Sequence, residues 1–275
     1  MNFKNIRKIV LTTPMVERVY HRLINPFIDA YIISFPKSGR TWIRMLLAQA
    51  ISQEYGKKLN LDLYKMTWES DIPNIKTDPR TGNYAQFRGI NFLGVKKMFK
   101  HKKIIFLVRN PKDVLVSYYY EWTKRRDLQY RGTLSAFIRE DFTLPTIINF
   151  MNSWAKELEK RPQDVLLITY ENLHNDPLKE LQKTLKHLVI SISDDNLRKA
   201  IALCSFENMQ KMEKNNIFAG DHRLQAININ DSDSFKMRKG KVDGYKEELS
   251  TGDLIYINGK LNTLNNVFNG LNYCK

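Results

Sequence analysis

Ser34-Phe35-Pro36-Lys37-Ser38-Gly39-Arg40-Thr41-Trp42 follows directly on the short apolar run Ala30 to Ile33 and leads into Ile43 to Ala50, a good helix former. The apolar run reads as a buried strand, the middle as a tight turn with one glycine, and the end as the start of a helix. A strand, a turn and a helix N-terminus in that order make a cradle for phosphate. N–H groups left unpaired in the first helical turn point at the ligand, and the positive end of the helix dipole favours an anion. Lys37 adds a full charge, Ser38 and Thr41 add hydroxyls, and Trp42 offers a face on which a purine can stack. The loop predicts a ligand with phosphates and an adenine. It is not a Walker A loop, G-x-x-x-x-G-K-[ST], because the lysine precedes the glycine and no glycine stands at the earlier position.

Two further segments extend this reading. Lys103-Ile104-Ile105-Phe106-Leu107-Val108 is a strand of the fully buried, parallel-sheet kind. It ends in Arg109-Asn110-Pro111-Lys112-Asp113, where Asn110 suits an N-cap, Pro111 the first helical position and Asp113 the first turn. Arg109 therefore sits at a strand's carboxyl end, where open α/β sheets bind ligands, and Ser117 follows about two helical turns later. Near the C-terminus, Arg238-Lys239-Gly240-Lys241-Val242-Asp243-Gly244-Tyr245-Lys246 is a basic loop in which Gly240 lets the backbone approach an anion.

In this order the three segments resemble the signature set of the sulfotransferases that use 3′-phosphoadenosine 5′-phosphosulfate (PAPS), over roughly Ile32 to Lys246. The resemblance implies that Lys37, Ser38, Gly39, Arg40, Thr41 and Trp42 hold the phosphosulfate, and that Arg109, Ser117, Arg238, Lys239 and Gly240 hold the 3′-phosphate. It implies that Tyr170 contacts the adenine and that Ser205 and Phe206 line the nucleotide site. Departures from the family pattern are Arg40 in the loop, Cys204 where a threonine is usual, and Gly244-Tyr245 in place of a tryptophan. The KxxxTVxxxE dimerisation pattern of animal members is not met after Lys246, so that dimer mode is not expected.

The implied reaction moves a sulfuryl group from PAPS to a hydroxyl or amine of a small-molecule acceptor and leaves 3′,5′-ADP. Lys37 then neutralises the departing 5′-phosphate oxygen. Family members carry Lys-Thr-His on the strand before the arginine strand, with the histidine as base; here Lys76-Thr77-Asp78 is the match. Lys76 and Asp78 are therefore the further candidate catalytic residues, with capping of the Pro79 turn as the other reading of Asp78, and His222 is the alternative base. His21, His174 and His187 read as lying in helices or turns away from the site, and His101 in a basic run. Tyr118, Tyr119, Tyr120, Trp122 and Phe142 can line an acceptor pocket or pack in the core. The runner-up function is a P-loop-type kinase using ATP; against it stand the missing G-K-[ST] and the lack of an acidic residue ending an apolar strand to place Mg²⁺. No His/Cys cluster has metal-ligand spacing, and no metal is expected.

Composition fits this reading. The chain has 275 residues, 43% hydrophobic, which is enough for one α/β domain over 1–275, with residues 1–29 as an N-terminal helical extension and 30–275 as the core. Two cysteines make no disulfide framework, and neither a secretory signal nor an apolar run of membrane-spanning length is present, so a cytoplasmic location is expected. Net charge is +15, from 44 basic against 29 acidic residues. The basic residues are spread rather than blocked, and an anionic nucleotide accounts for them without nucleic acid or membrane. The wealth of Lys, Asn and Ile suits a bacterial enzyme that tailors a metabolite.

Along the chain, a helix is predicted over Pro14 to Pro26, a short strand over Ile72 to Thr77, and a loop over Thr77 to Gly89. An amphipathic helix follows over Pro145 to Leu158, a third strand over Asp164 to Thr169, helices over Pro177 to Val189 and Asp194 to Cys204, a mobile loop over Asn215 to Ser234, and a last helix over Leu254 to Phe268. Strands alternating with helices predict a doubly wound parallel sheet.

Overall fold

A computed structural model describes residues 29–56, 75–77 (backbone only), 99–125, 130–215, 217 and 226–273. The expected helix of residues 14–26, the loop of residues 78–89, Asp78 and His222 lie outside them. Four strands form one sheet: β1 (Ala30–Ser34), β2 (Ile75–Thr77), β3 (Lys103–Val108) and β4 (Val165–Thr169). Every pairing is parallel and the order is β2-β1-β3-β4. In register, Ile32 lies beside Thr77 on one side and Ile105 on the other, and Phe106 lies beside Leu167.

From β1 the chain first adds β2 on one side, then returns to place β3 on the other. That reversal opens a crevice at the carboxyl ends of β1 and β3, the place where open α/β sheets accept ligands. The two basic turns singled out in the sequence, at Lys37 and Arg109, are the ones that flank it.

Helices cover both faces of the sheet. They are α1 (Arg40–Tyr55), α2 (Pro111–Tyr120), α3 (Leu134–Arg139), α4 (Leu144–Lys160), α5 (Tyr170–Asn175), α6 (Pro177–Leu188), α7 (Asp194–Leu203), α8 (Phe206–Lys214) and α9 (Thr251–Leu261). Side chains alternate along the strands, so Tyr31, Ile33, Ile104, Phe106 and Val108 join α2, α4 and α9 in one core, centred on Trp154, Phe99 and Phe150. Ala30, Ile32, Ile105, Leu107 and Ile168 join α1, α6 and α7 in the other. Burial on both faces explains why these strands read as continuous apolar runs. Each fully buried Leu, Ile or Phe contributes about 1.5–3 kcal/mol, which holds the strand ends rigid beneath the crevice.

Local chemistry explains where the elements differ from expectation. The predicted final helix is two pieces: Ser250 and Asp253 form a capping box that starts α9 earlier, and Asn265 caps a separate 3₁₀ segment, Asn266–Leu271. The periodicity did not show α3, which Thr133 caps by accepting from the Ala136 N–H at 3.2 Å. It also did not show α8, capped by Ser205 accepting from the Asn208 N–H at 3.3 Å. Of the expected mobile loop, the described part includes a 3₁₀ turn at Ser232–Ser234. No described helix is long and apolar enough to cross a membrane.

Candidate active site

The loop after β1 is built for close approach. Lys37 and Gly39 both have left-handed backbones, with φ of 71° and 93°. A side chain at Gly39 would put its Cβ 2.5 Å from the Tyr170 ring, so both the conformation and the space demand glycine. No side chain caps the α1 N-terminus and no acidic residue stands in its first turn, which leaves the positive end of a 16-residue helix facing the crevice.

Arg109, at the end of β3, ties three segments together. Its Nη2 donates to the Lys241 carbonyl at 2.8 Å and its Nη1 to the Lys37 carbonyl at 3.4 Å, and its guanidinium lies 4.2 Å from the Tyr170 ring centre. Asn110 caps α2 by accepting from the Lys112 N–H, with Pro111 at the first helical position, as expected. Asp113 accepts from the Asp243 and Tyr245 N–H groups, both at 3.0 Å, and so pins the basic loop onto the start of α2. Burial raises the Asp113 carboxyl, against the pull of Arg109 and these two N–H groups. Within the basic loop, Gly240 (φ 63°) lies against the Phe206 ring, where any Cβ would collide, and its carbonyl accepts from the Tyr170 hydroxyl at 3.1 Å.

These parts enclose one cavity of about 610 Å³. Its wall includes Lys37, Gly39, Arg40, Thr41, Trp42, Arg109, Ser117, Tyr170, Phe206, Arg238, Lys239 and Gly240. Two expected nucleotide residues stand behind the wall: Ser38 is buried in the turn, and Ser205 has its hydroxyl on the α8 N-terminus. At one end, the Trp42 and Tyr170 rings meet edge to face at 5.8 Å, with Phe206 beside them on the wall. His174, expected away from the site, lines the same end, because α5 carries it one turn beyond Tyr170. Trp42 is fixed by donating to the Cys204 carbonyl at 2.9 Å, while burial pushes the Cys204 thiol up to about 12 and leaves it inert. Lys76 is described in its backbone, which pairs with Tyr31 in the sheet. The tyrosines and Trp122 after Ser117 pack into the core, Tyr118 edge to face against Phe35 and Phe137.

The model of the sulfotransferase domain family matches residues 27–257. The chain belongs to the sulfotransferase family. It is 26% identical over 249 residues to sulfotransferase 1B1 of dog, covering 83% of this chain and 82% of that one. It is 29% identical over 238 residues to mouse sulfotransferase 1 family member D1, covering 81% and 78%. A crystal structure of mouse sulfotransferase SULT7A1 complexed with PAP shares the fold at a TM-score of 0.61 and 22% identity, over 91% of this chain and 90% of that one. The family match makes the chain a sulfotransferase.

In this sulfotransferase the charged side of the cavity holds residues that sequence reading missed. Past α2 the chain makes a π-helical turn, Glu121–Arg125. Glu121 Oε2 accepts from Lys37 Nζ at 3.0 Å and lies 3.4 Å from Lys236 Nζ and 3.6 Å from Arg125 Nε. Arg125 also pairs with Glu213 at 3.1 Å and donates to the Ser234 carbonyl. Burial alone would raise the Glu121 carboxyl, but the charges of Lys37 and Lys236 outweigh it and hold it below the usual carboxylate range. Burial lowers the Lys37 ammonium, with Glu121 opposing, and burial together with the neighbouring Lys37 charge brings Lys236 down to about 7. The one sequence signal for Glu121 is its helical spacing of four from Ser117. Among the described residues no cluster of His, Cys, Asp or Glu is arranged to hold a metal.

Proposed function

We propose that the cavity binds PAPS in one orientation and that Lys37 drives sulfuryl transfer. What carries the reading is the meeting, in one cavity at the sheet's reversal point, of the Lys37 loop, the Arg109–Ser117 turn and the Arg238–Gly240 loop, with Trp42, Tyr170 and Phe206 at its aromatic end. The aromatic end suits the adenine. Arg109, Ser117, Arg238, Lys239 and Gly240 suit the 3′-phosphate, and the α1 N-terminus from Ser38 to Trp42, with Lys37, suits the phosphosulfate. Ser205 contributes by capping α8, which presents Phe206. The acceptor oxygen or nitrogen attacks sulfur as the bond from sulfur to the 5′-phosphate oxygen breaks, and that oxygen keeps the electron pair. Lys37 stabilises the charge developing there, so catalysis is positioning and electrostatics.

The donor test is thermal shift with 3′,5′-ADP and with ATP. At 100 times its dissociation constant, 3′,5′-ADP stabilises by about 2.7 kcal/mol. ATP gives little shift, since the site is built around a 3′-phosphate; equal shifts by both ligands would sink the assignment.

The acceptor's proton goes to Asp78, which follows Lys76 and Thr77 at the carboxyl end of β2, and Lys76 assists on the same strand. Asp78→Asn lowers turnover at least about 10²-fold, the scale of a general base, and leaves 3′,5′-ADP affinity unchanged. If His222→Ala shows that loss and Asp78→Asn does not, the base is His222. The enzyme is a single domain that works in the cytoplasm, and its basic residues serve the nucleotide rather than a nucleic acid or a membrane.

A further inference from the structure

Glu121 stands in the wall of the cavity, one helical turn beyond Ser117, and none of the donor-binding roles above uses it. One oxygen of its carboxylate serves three cations: Lys37 at 3.0 Å, Lys236 at 3.4 Å and Arg125 at 3.6 Å. Arg125 has its own second anion in Glu213. Lys37 and Lys236 pair, among the described residues, with Glu121. The π turn puts this carboxylate there, and such turns recur at functional sites.

We propose that Glu121 is a positioning residue for sulfuryl transfer, the built-in counter-ion that fixes the Lys37 ammonium in the cavity wall and keeps it charged before the donor arrives. The inference rests on the role given to Lys37 above. The Lys37 side chain is only 6% exposed, and a buried ammonium without a partner neutralises rather than stay charged. A neutral amine cannot stabilise the departing oxygen. Among the described residues, the charged groups facing this region are Glu121 and Arg125 from the π turn, Glu213 from α8, Lys236 from the segment before the basic loop, Arg40 from α1, and Arg109 at the Lys37 carbonyl. Two of these are anions. Glu213 is already taken up by Arg125 and by the Lys236 and Met237 N–H groups, the latter at 2.9 Å, so the work of holding Lys37 charged falls to Glu121.

The test is the pH profile of Glu121→Gln and Glu121→Asp, because a merely structural residue lowers activity without moving a limb. The profile of kcat/KM reports groups of the free enzyme, and that of kcat those of the loaded one. In Glu121→Gln the alkaline limb of kcat/KM moves down by about one pH unit or more, the scale on which an opposite charge at this distance shifts a pKa. The limb of kcat, measured with the donor's own anions beside Lys37, moves less. Glu121→Asp retains most of the wild-type limb.

Lys236 also titrates, so the comparison is repeated in a Lys236→Arg background, where that cation no longer does. A folded Glu121→Gln enzyme whose kcat/KM limb stays in place overturns the proposal. If Glu121→Gln does not fold, Glu121→Asp decides: a lowered kcat with a partly displaced limb supports it, and wild-type values of both overturn it. Full turnover in Lys37→Ala would instead overturn the role of Lys37 itself, which keeps the two failures apart.

Discussion

The two cationic ends of the cavity differ in how many of their ion pairs the fold seals. At the Lys37 end the ion pairs are sealed: the side chains of Lys37 and Glu121 are 6% and 13% exposed, those of Arg125 and Glu213 5% and 1%. At the basic-loop end the outer pairs stand in water, Lys239 and Glu247 being 32% and 49% exposed and Lys241 60%, while the Arg238–Glu248 pair beside them is sheltered, at 12% and 15%. Exposed pairs are worth about 0–1 kcal/mol and exchange partners readily, whereas a buried charge that loses its partner is stranded at a cost of several kcal/mol. A phosphate arriving at the loop displaces the exposed Glu247 from Lys239 and Lys241 with little loss. The Lys37 end cannot be remade so cheaply, and its charges are committed by the fold. One end captures; the other is set for chemistry.

Mutations at the two ends sharpen this contrast. The largest effect is expected of Lys37→Ala, which lowers turnover by about 10²–10³, the scale seen when one transition-state donor is removed. Single-turnover rates at low and high salt check it: the loss persists in both, because a sealed charge is poorly screened. Near wild-type turnover would take Lys37 out of the mechanism. The smallest effect is expected of Lys239→Ala, which weakens 3′,5′-ADP binding by less than roughly fivefold at physiological salt, in line with about 1 kcal/mol for an exposed pair. Calorimetry at about 1 M salt, where the screening length is about 3 Å, finds most of that difference gone. A salt-resistant loss at Lys239 as large as that at Lys37 would erase the distinction between the two ends.

The sheet and the turns that flank its crevice were legible in the sequence because each rests on short-range signals. β1 and β3 are uninterrupted apolar runs, Gly39 and Gly240 occupy left-handed positions, and Asn110-Pro111 announces the start of α2. The aromatic end was legible too, through Trp42, Tyr170 and Phe206. The pairing network at the charged end was not. Glu121, Glu213 and Lys236 come from a π turn, a helix and a loop as much as 115 residues apart, and an ion pair across such distances leaves no periodicity to read. His174 was misplaced because a six-residue helix after a strand end has too few turns to show which face it presents. The split of the last helix lay in two side-chain caps, Ser250 and Asn265, that only the hydrogen bonds reveal.

Tyr170 has a consequence for how the enzyme is made. Its ring lies over Gly39, the Arg109 guanidinium lies on its face, and its hydroxyl holds Gly240, so one side chain locks three segments that are distant along the chain. Arg109 and the Lys241 carbonyl that it binds are 132 residues apart. A ribosome adding about 5–20 residues per second needs roughly 7–26 s to span that interval. Through that time the nascent chain already displays the Lys37 loop and Arg109, yet lacks the basic loop that completes the nucleotide pocket. The site therefore closes only once the basic loop has been made, and a ribosome-bound chain halted before Arg238 has no finished pocket in which to hold the nucleotide.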